Sequence, residues 1–246
     1  MRYFIEFMYD GTNYHGWQYQ PNAISVQLKL EESMSIIMQE KIELVAAGRT
    51  DTGVHAKQMF AHFDSEKSLS QALLYRINNI LPVDIAIIKL FKVNKNAHAR
   101  FSALSRTYNY CISKNKNPFN NYCYFYNRQL DVIKMNQGAQ CLVGKHDFTS
   151  FSKGKTSTYT NDCEISILSV EKHKDEILFV IKSNRFLRNM VRSIVGTLVE
   201  VGELKIPVSR LKEILENKNR SLAGKSMPAI GLSLVSIEYP KEIYNE

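Results

Sequence analysis

An α+β fold containing antiparallel sheet is what three features of this chain predict. Stretches of β-type alternation are interspersed with stretches of helical periodicity, two β-rich stretches adjoin across a short turn, and no repeat or low-complexity tract interrupts the pattern. Residues 3–9 alternate so that Tyr3, Ile5 and Phe7 share one face of a strand. Leu30, Met34 and Ile37 recur at helical spacing after Ser25, a good N-cap, so a helix with a core-facing stripe follows there. Residues 42–46 and 58–63 read as strands flanking a loop around Asp51, and Leu69, Leu73 and Ile77 mark one face of a second helix over 69–79.

The second half opens on a strand over 106–112, where Thr107 and Tyr110 are good strand formers. An irregular insertion, 113–128, then mixes turn formers with Phe119, Tyr122, Tyr124, Phe125 and Tyr126, rings expected to close a small satellite core. Residues 163–171 and 176–182 form the hairpin, joined around His173-Lys174-Asp175. From Phe186 to Val201 the apolar set Phe186, Leu187, Met190, Val191, Ile194, Val195 and Leu198 builds one buried helix face, which Gly202 is placed to end. On that helix Arg185, Arg188 and Arg192 would form a basic ridge, or simply its solvated side. A helix over 209–217 and a strand over 231–239 complete the chain, and a boundary near 96–104 divides it into halves of residues 1–100 and 101–246.

With 246 residues and 44% hydrophobic content the chain can bury one large core or two small ones. It lacks an apolar run of about 18 residues and a signal-peptide pattern at Met1-Arg2-Tyr3-Phe4-Ile5-Glu6, so it is expected to stay in the cytoplasm, off the membrane. Cys111, Cys123, Cys141 and Cys163 form no C-x-x-C pair, which speaks against structural zinc and leaves free reduced thiols as the expectation. The net charge of +8, from 32 Lys and Arg against 24 Asp and Glu, suits a polyanionic partner without demanding one.

The most telling segment is Ala47-Gly48-Arg49-Thr50-Asp51-Thr52-Gly53-Val54-His55-Ala56. Gly48 and Gly53 permit sharp turns around the carboxylate, and a nearby Arg49 would lower its pKa by roughly 1–3 units, keeping it ionised as nucleophile or base. A generic D-x-G would be no more than a solvated turn, but the ten-residue string is far more specific. His15, His55 and His62 show no H-x-E or H-E-x-x-H spacing, so no metal site is expected from them.

These residues resemble the pseudouridine synthases, and within them the TruA family, whose G-R-T-D-x-G-V-H-A motif carries the catalytic aspartate. Tyr9-Asp10-Gly11-Thr12-Asn13-Tyr14-His15-Gly16-Trp17-Gln18 is similar to that family's opening Y-D-G-T-x-Y-x-G-W-Q. Leu81-Pro82-Val83-Asp84-Ile85, Arg100-Phe101-Ser102-Ala103, Arg106-Thr107-Tyr108, His146-Asp147-Phe148, Met190-Val191-Arg192, Val195-Gly196-Thr197-Leu198 and Gly231-Leu232 also look like family segments, so the resemblance covers nearly the whole chain. Two departures stand out: Arg188-Asn189 replaces a common H-H pair, and Ser226-Met227-Pro228 replaces a T-A-P-like triplet.

The resemblance implies a pseudouridine synthase fold: two ferredoxin-like α+β halves whose mainly antiparallel sheet runs across a central RNA-binding cleft. It implies an isomerase that converts uridine to pseudouridine at positions 38, 39 and 40 of the tRNA anticodon stem-loop, acting as a homodimer on tRNA and not on DNA. Asp51 would be the catalytic carboxylate, attacking the sugar, adding to the ring or acting as a base; these routes stay open. Tyr108 would contact the flipped uridine, Arg49 would fill the space it leaves or hold the RNA backbone, Arg192 would pair with Asp51, and Leu232 would form an apolar wall beneath the uracil. Lys153 and Lys155, in the stretch Ser152 to Asp162, are expected to touch the RNA backbone. An isomerisation of this kind needs no cofactor and no metal, in keeping with a chain that has no P-loop and no G-x-G-x-x-G. The rival readings are a non-catalytic RNA-binding or RNA-folding protein of the same fold, and a metal-dependent nuclease, for which the chain lacks a second acidic cluster.

Overall fold

Tyr3, Ile5, Phe7 and Tyr9 are all buried on one face of strand β1 (Arg2–Tyr9), as their alternation requires. The structure is a computed structural model that describes residues 1–154 and 159–244. The chain divides into two units, Met1–Leu104 with Leu234–Glu246, and Ser105–Ser233.

In the first unit β1 pairs antiparallel with β3 (His55–Asp64) on one side and β4 (Ile85–Lys92) on the other. Strand β10 (Leu232–Glu238), which starts in the second unit and ends in the first, follows β3 in the strand order. Helix α1 (Val26–Met38) starts at Ser25, whose hydroxyl accepts from Leu28 N at 3.2 Å, and it buries Val26, Leu30, Met34 and Met38. Helix α2 (Gln71–Ile80) packs on α1 and on β4, with Ile77 buried and the Asn78 carboxamide bracketing the Ile87 backbone.

The strand expected over 42–46 shrinks to β2 (Val45–Ala46), because Ile42 N and Leu44 N donate to Ser35 Oγ and Glu31 Oε1 of α1 instead of to a strand. Strand β3 correspondingly begins earlier than expected, at His55. On the other face Phe4 packs against Phe60, His62, Phe91 and Tyr239, so β1 is buried on both sides at that point, while Met8 on the same face is exposed.

The second unit is a sheet of β5 (Ser105–Ser113), β9 (Glu176–Ser183), β8 (Asp162–His173) and β7 (Gly144–Asp147), antiparallel throughout in that order. The hairpin turn between β8 and β9 carries Lys174 in the left-handed region, at φ 52°. Helix α3 (Val132–Gln140), capped by Asp131, packs on β8 and on α4 (Met190–Gly202), and α5 (Arg210–Asn217) follows.

Helix α4 starts four residues later than its apolar pattern suggests. Asn189 lies at φ 66°, outside the right-handed helical region, so Arg185 and Arg188 precede the helix and share no helical ridge with Arg192. Along α4 a β-carbon on Gly196 would overlap the Lys225 carbonyl, and Gly224 N donates to Thr197 Oγ1 at 2.9 Å. The small residues of the Val195-Gly196-Thr197 string thus let segment 224–226 lie directly on the helix.

Two expectations are corrected in the insertion. Its rings do not form a satellite core: Phe119 is 96% exposed, and Tyr122 and Phe125 are exposed as well. Asn117 and Asn120 accept from the backbone N–H groups of Phe119 and Tyr122, tying the segment into polar turns, and of the five rings only Tyr124 and Tyr126 are half-buried, 6.0 Å apart. Nor are all four cysteines free, since Cys111 is bonded to Cys123 while Cys141 and Cys163 remain thiols. The cause is β6 (Tyr124–Phe125), which pairs in parallel with β5 at Ile112↔Tyr124 and brings the two cysteine Cα atoms to 4.6 Å, within disulfide reach. Among the described residues no helix is long and apolar enough to cross a membrane.

Candidate active site

Asp51 occupies the connection from β2 to β3, and that connection is fastened at both ends of a short crown. Ala47 N donates to Phe60 O at 2.8 Å, continuing the β2–β3 ladder by one residue. Thr50 is buried, its carbonyl accepting from Trp17 N at 3.2 Å and its hydroxyl lying 2.8 Å from the Tyr9 hydroxyl. Beyond the crown, Val54 N closes a turn onto Asp51 O at 3.1 Å and Gly53 N donates to Tyr14 O at 3.3 Å. Asp51 itself is half-buried, and Arg49 and Thr52 are exposed.

Of the two glycines expected to bend the chain here, only Gly53 has a positive φ, 76°. Gly48 does not, and the space beside it is open, so its position requires no glycine.

His55 is 2% exposed. Its Nδ1 accepts from Gly11 N at 3.1 Å and lies 3.0 Å from Asp10 Oδ1, which makes it a strut between β3 and the loop after β1. Burial pushes the Asp10 carboxyl up, but hydrogen bonds from the Thr12 hydroxyl and backbone, together with His55, outweigh it and hold Asp10 below the usual range. Tyr14 donates to Asp84 across the same loop, and burial followed by that carboxylate raises its phenol well above the ordinary value.

The other residues picked out by sequence lie in the second unit. Tyr108 is half-buried on β5, opposite Ile181 of β9, with its ring edge-on to Phe186 at 5.0 Å and 84°. Arg192 stands in the first turn of α4, where its Nε donates to Met227 O at 2.6 Å while Met227 N donates back to Arg192 O at 3.1 Å. The same segment is held from β5 by Tyr110, whose hydroxyl donates to Pro228 O at 2.8 Å. Leu232, buried at the start of β10, directly follows Gly231, which abuts the Tyr110 ring.

Arg192 and Leu232 are therefore fixed by one stitched segment, 224–232, and the Asp51 backbone by another, 9–17 with 50–54. Lys153 is exposed, its N–H donating to Arg188 O at 3.0 Å; Lys155 lies outside the described residues.

Among the described residues one group of three metal-ligand side chains lies together, Cys111, Cys123 and Glu176. Its two sulfurs are bonded to each other and so are not thiolate ligands. Sequence reading missed the part of segment 9–17, whose signal was the density of glycine and aromatic residues in Tyr9–Gln18.

A family model described as tRNA pseudouridine synthase matches residues 139–240. The protein named tRNA pseudouridine synthase A from Azobacteroides pseudotrichonymphae is 47% identical over 245 residues, spanning 99% of this chain and 98% of that one. The chain belongs to the tRNA pseudouridine synthase A family.

Members of the same name from Bacteroides thetaiotaomicron, 46% identical over 100% of this chain and 93% of theirs, and Bacteroides fragilis, 47% identical over 99% and 98%, are similar along nearly their whole length. As a tRNA pseudouridine synthase A family member the chain is an isomerase. The shared length takes in both the Asp51 crown and the Arg192–Met227 stitch.

Proposed function

We propose that this chain isomerises uridine to pseudouridine at positions 38, 39 and 40 in the anticodon stem-loop of tRNA, with Asp51 as the catalytic carboxylate. The observation that carries this reading is the crown of the β2–β3 connection, where the backbone is tied down at Thr50 and at Gly53–Val54 with Asp51 between them. A carboxylate held on a pinned turn meets its substrate without first being ordered, which is the condition for efficient positioning.

In the reaction the bond from ribose C1′ to uracil N1 breaks, the ring turns, and a bond from C1′ to C5 forms. The proton leaves C5 and N1 gains one, so the atoms balance without oxidant, reductant or second substrate. Asp51 supplies the negative charge that labilises the glycosidic bond, whether at the sugar, at the ring or as the base for C5.

A paired base is out of reach, so the target must leave its stack and be held by an aromatic face. Tyr108 takes that part, its plane set by the edge-on Phe186 ring. Exposed Arg49 fills the space left by the flipped base or holds the RNA backbone, Arg192 pairs with Asp51 and orients it, and Leu232 lies under the uracil. The protein works in the cytoplasm as a homodimer on tRNA.

The deciding experiment incubates the protein and its Asp51→Asn variant with unmodified tRNA and maps pseudouridine at single-nucleotide resolution. Product at positions 38 to 40 from the native protein alone is the expected result. Binding of several tRNAs without product would favour a non-catalytic RNA-binding protein, and product from the variant at the native rate would remove Asp51 from the mechanism.

A further inference from the structure

The geometry points to Tyr9, Thr50 and Gly16 as positioning residues that aim the Asp51 carboxylate, an inference that rests on Asp51 being the catalytic group. Tyr9 is the last residue of β1, 4% exposed, and its ring stacks on Phe7 at 6.1 Å and 24°. Phe7 in turn lies 5.3 Å from the Trp17 ring, so the phenol hydroxyl stands at the end of a packed aromatic row and has little freedom to move.

That hydroxyl meets Thr50 Oγ1 at 2.8 Å, inside the protein. Thr50 is therefore held twice, by its side chain to Tyr9 and by its carbonyl to Trp17 N at 3.2 Å. Fixing both groups of residue 50 fixes the peptide plane from which the Asp51 Cα–Cβ bond departs.

Gly16 closes the arrangement from below. It lies at φ 88°, and a β-carbon there would stand 2.5 Å from the Thr50 carbonyl oxygen and 3.2 Å from the Asp51 carbonyl carbon. The N-terminal segment is thus shaped to the underside of residues 50–52, and any side chain at position 16 would lift them. A hydroxyl pair that served only folding would lower Tm when broken and leave the reacting carboxylate at its native rate. One that aims it separates turnover from binding, because RNA recognition through the rest of the surface does not depend on the angle of one carboxylate.

The test measures single-turnover rate, tRNA dissociation constant and Tm for Tyr9→Phe, Thr50→Val, the double variant, Thr50→Ser and Gly16→Ala, with Asp51→Asn beside them. Tyr9→Phe and Thr50→Val are each expected to slow the reaction about tenfold, with tRNA affinity within about twofold of native. The double variant is expected to be no slower than either single one, since both remove the same contact. Thr50→Ser, which keeps the hydroxyl, should restore most of the rate. Gly16→Ala should be slower than any of them; should it fail to fold, the Tyr9 and Thr50 variants still decide the matter.

Native single-turnover rates in Tyr9→Phe and Thr50→Val, with only Tm lowered, would overturn the positioning role and leave Asp51 catalytic provided Asp51→Asn is inactive. A fully active Asp51→Asn would overturn both readings together, so the two failures are told apart by that one variant.

Discussion

The Asn189 carboxamide donates a hydrogen bond to the Ser226 hydroxyl at 2.5 Å, which joins to each other the two places where the sequence departs from its family's common pattern. Asn189 stands at the N-terminus of α4 with φ 66°, a left-handed conformation that asparagine tolerates better than most residues. Its side chain makes no cap bond to the helix and reaches instead to segment 224–231, where Ser226 also accepts from Arg220 Nη2 at 3.0 Å.

Removing either partner leaves a half-buried donor or acceptor without its mate. Ser226→Ala and Asn189→Ala are therefore each expected to lower stability by about 1–2 kcal/mol in urea unfolding. The double variant should lose less than the sum, since both single changes break one contact. Asn189→Gly separates the two functions of the residue: it keeps the backbone conformation and loses the hydrogen bond, and should fall between native and Asn189→Ala. Additive losses in the double variant would show that the bond contributes nothing of its own.

What could be read from sequence was what is decided locally. Ser25 caps α1 through its own side chain, and the β8–β9 hairpin has its turn where His173-Lys174-Asp175 placed it. The late start of α4 was not legible, because the left-handed Asn189 is held by a residue 37 positions away. The disulfide was hidden for the same reason: Cys111 and Cys123 meet only because a two-residue strand returns beside β5. At the candidate site the string around Asp51 stood out by its glycines and arginine, and that around Tyr9 by its likeness to the family's opening, but nothing in their spacing says that the Tyr9 hydroxyl touches Thr50.

A second expectation concerns pH. His62 is 5% exposed, and its Nδ1 accepts from Ala99 N at 3.2 Å, so the ring must be neutral at that nitrogen. Burial first, and then the Arg2 charge and the neighbouring His98, bring its pKa down to about 4. A histidine whose folded pKa lies below its ordinary 6.5 contributes stability that is complete above 6.5 and is lost as pH falls from there towards about 4. Each pH unit in that window removes about 1.4 kcal/mol, so moving from pH 7 to pH 5 should cost about 2 kcal/mol. His98 is also depressed, chiefly by burial, and adds loss of the same sign. Carboxylates such as Asp64, which the Arg2 guanidinium holds below the usual range, contribute their losses at lower pH. Urea unfolding of native protein and His62→Gln at both pH values checks this; an equal drop in the variant would mean that His62 is not the source.

The Cys111–Cys123 bond closes a loop with a sequence separation of 12, for which chain entropy gives a stabilisation of about 3 kcal/mol. Oxidised protein should take up one maleimide readily, at half-buried Cys141. Cys163 is fully buried and its thiol is pushed up to about 11, chiefly by burial, so it should react only on unfolding. Reduction should add two labelled sites and lower Tm, and Cys123→Ser should reproduce the lowered Tm without reductant. The damage is expected to stay local. After the bond opens, Lys114 N still donates to Asp175 O at 2.8 Å and the Asn120 carboxamide to Glu176 at 2.9 Å, while all eight β5–β9 register pairs, Tyr108↔Ile181 among them, are made without the sulfurs. Hydrogen exchange should therefore quicken over 114–126 and not along β5, and single-turnover isomerisation should run at the same rate with and without reductant. Faster exchange reaching Tyr108, or a reaction that slows on reduction, would show that the disulfide holds the substrate strand and not only the loop beside it.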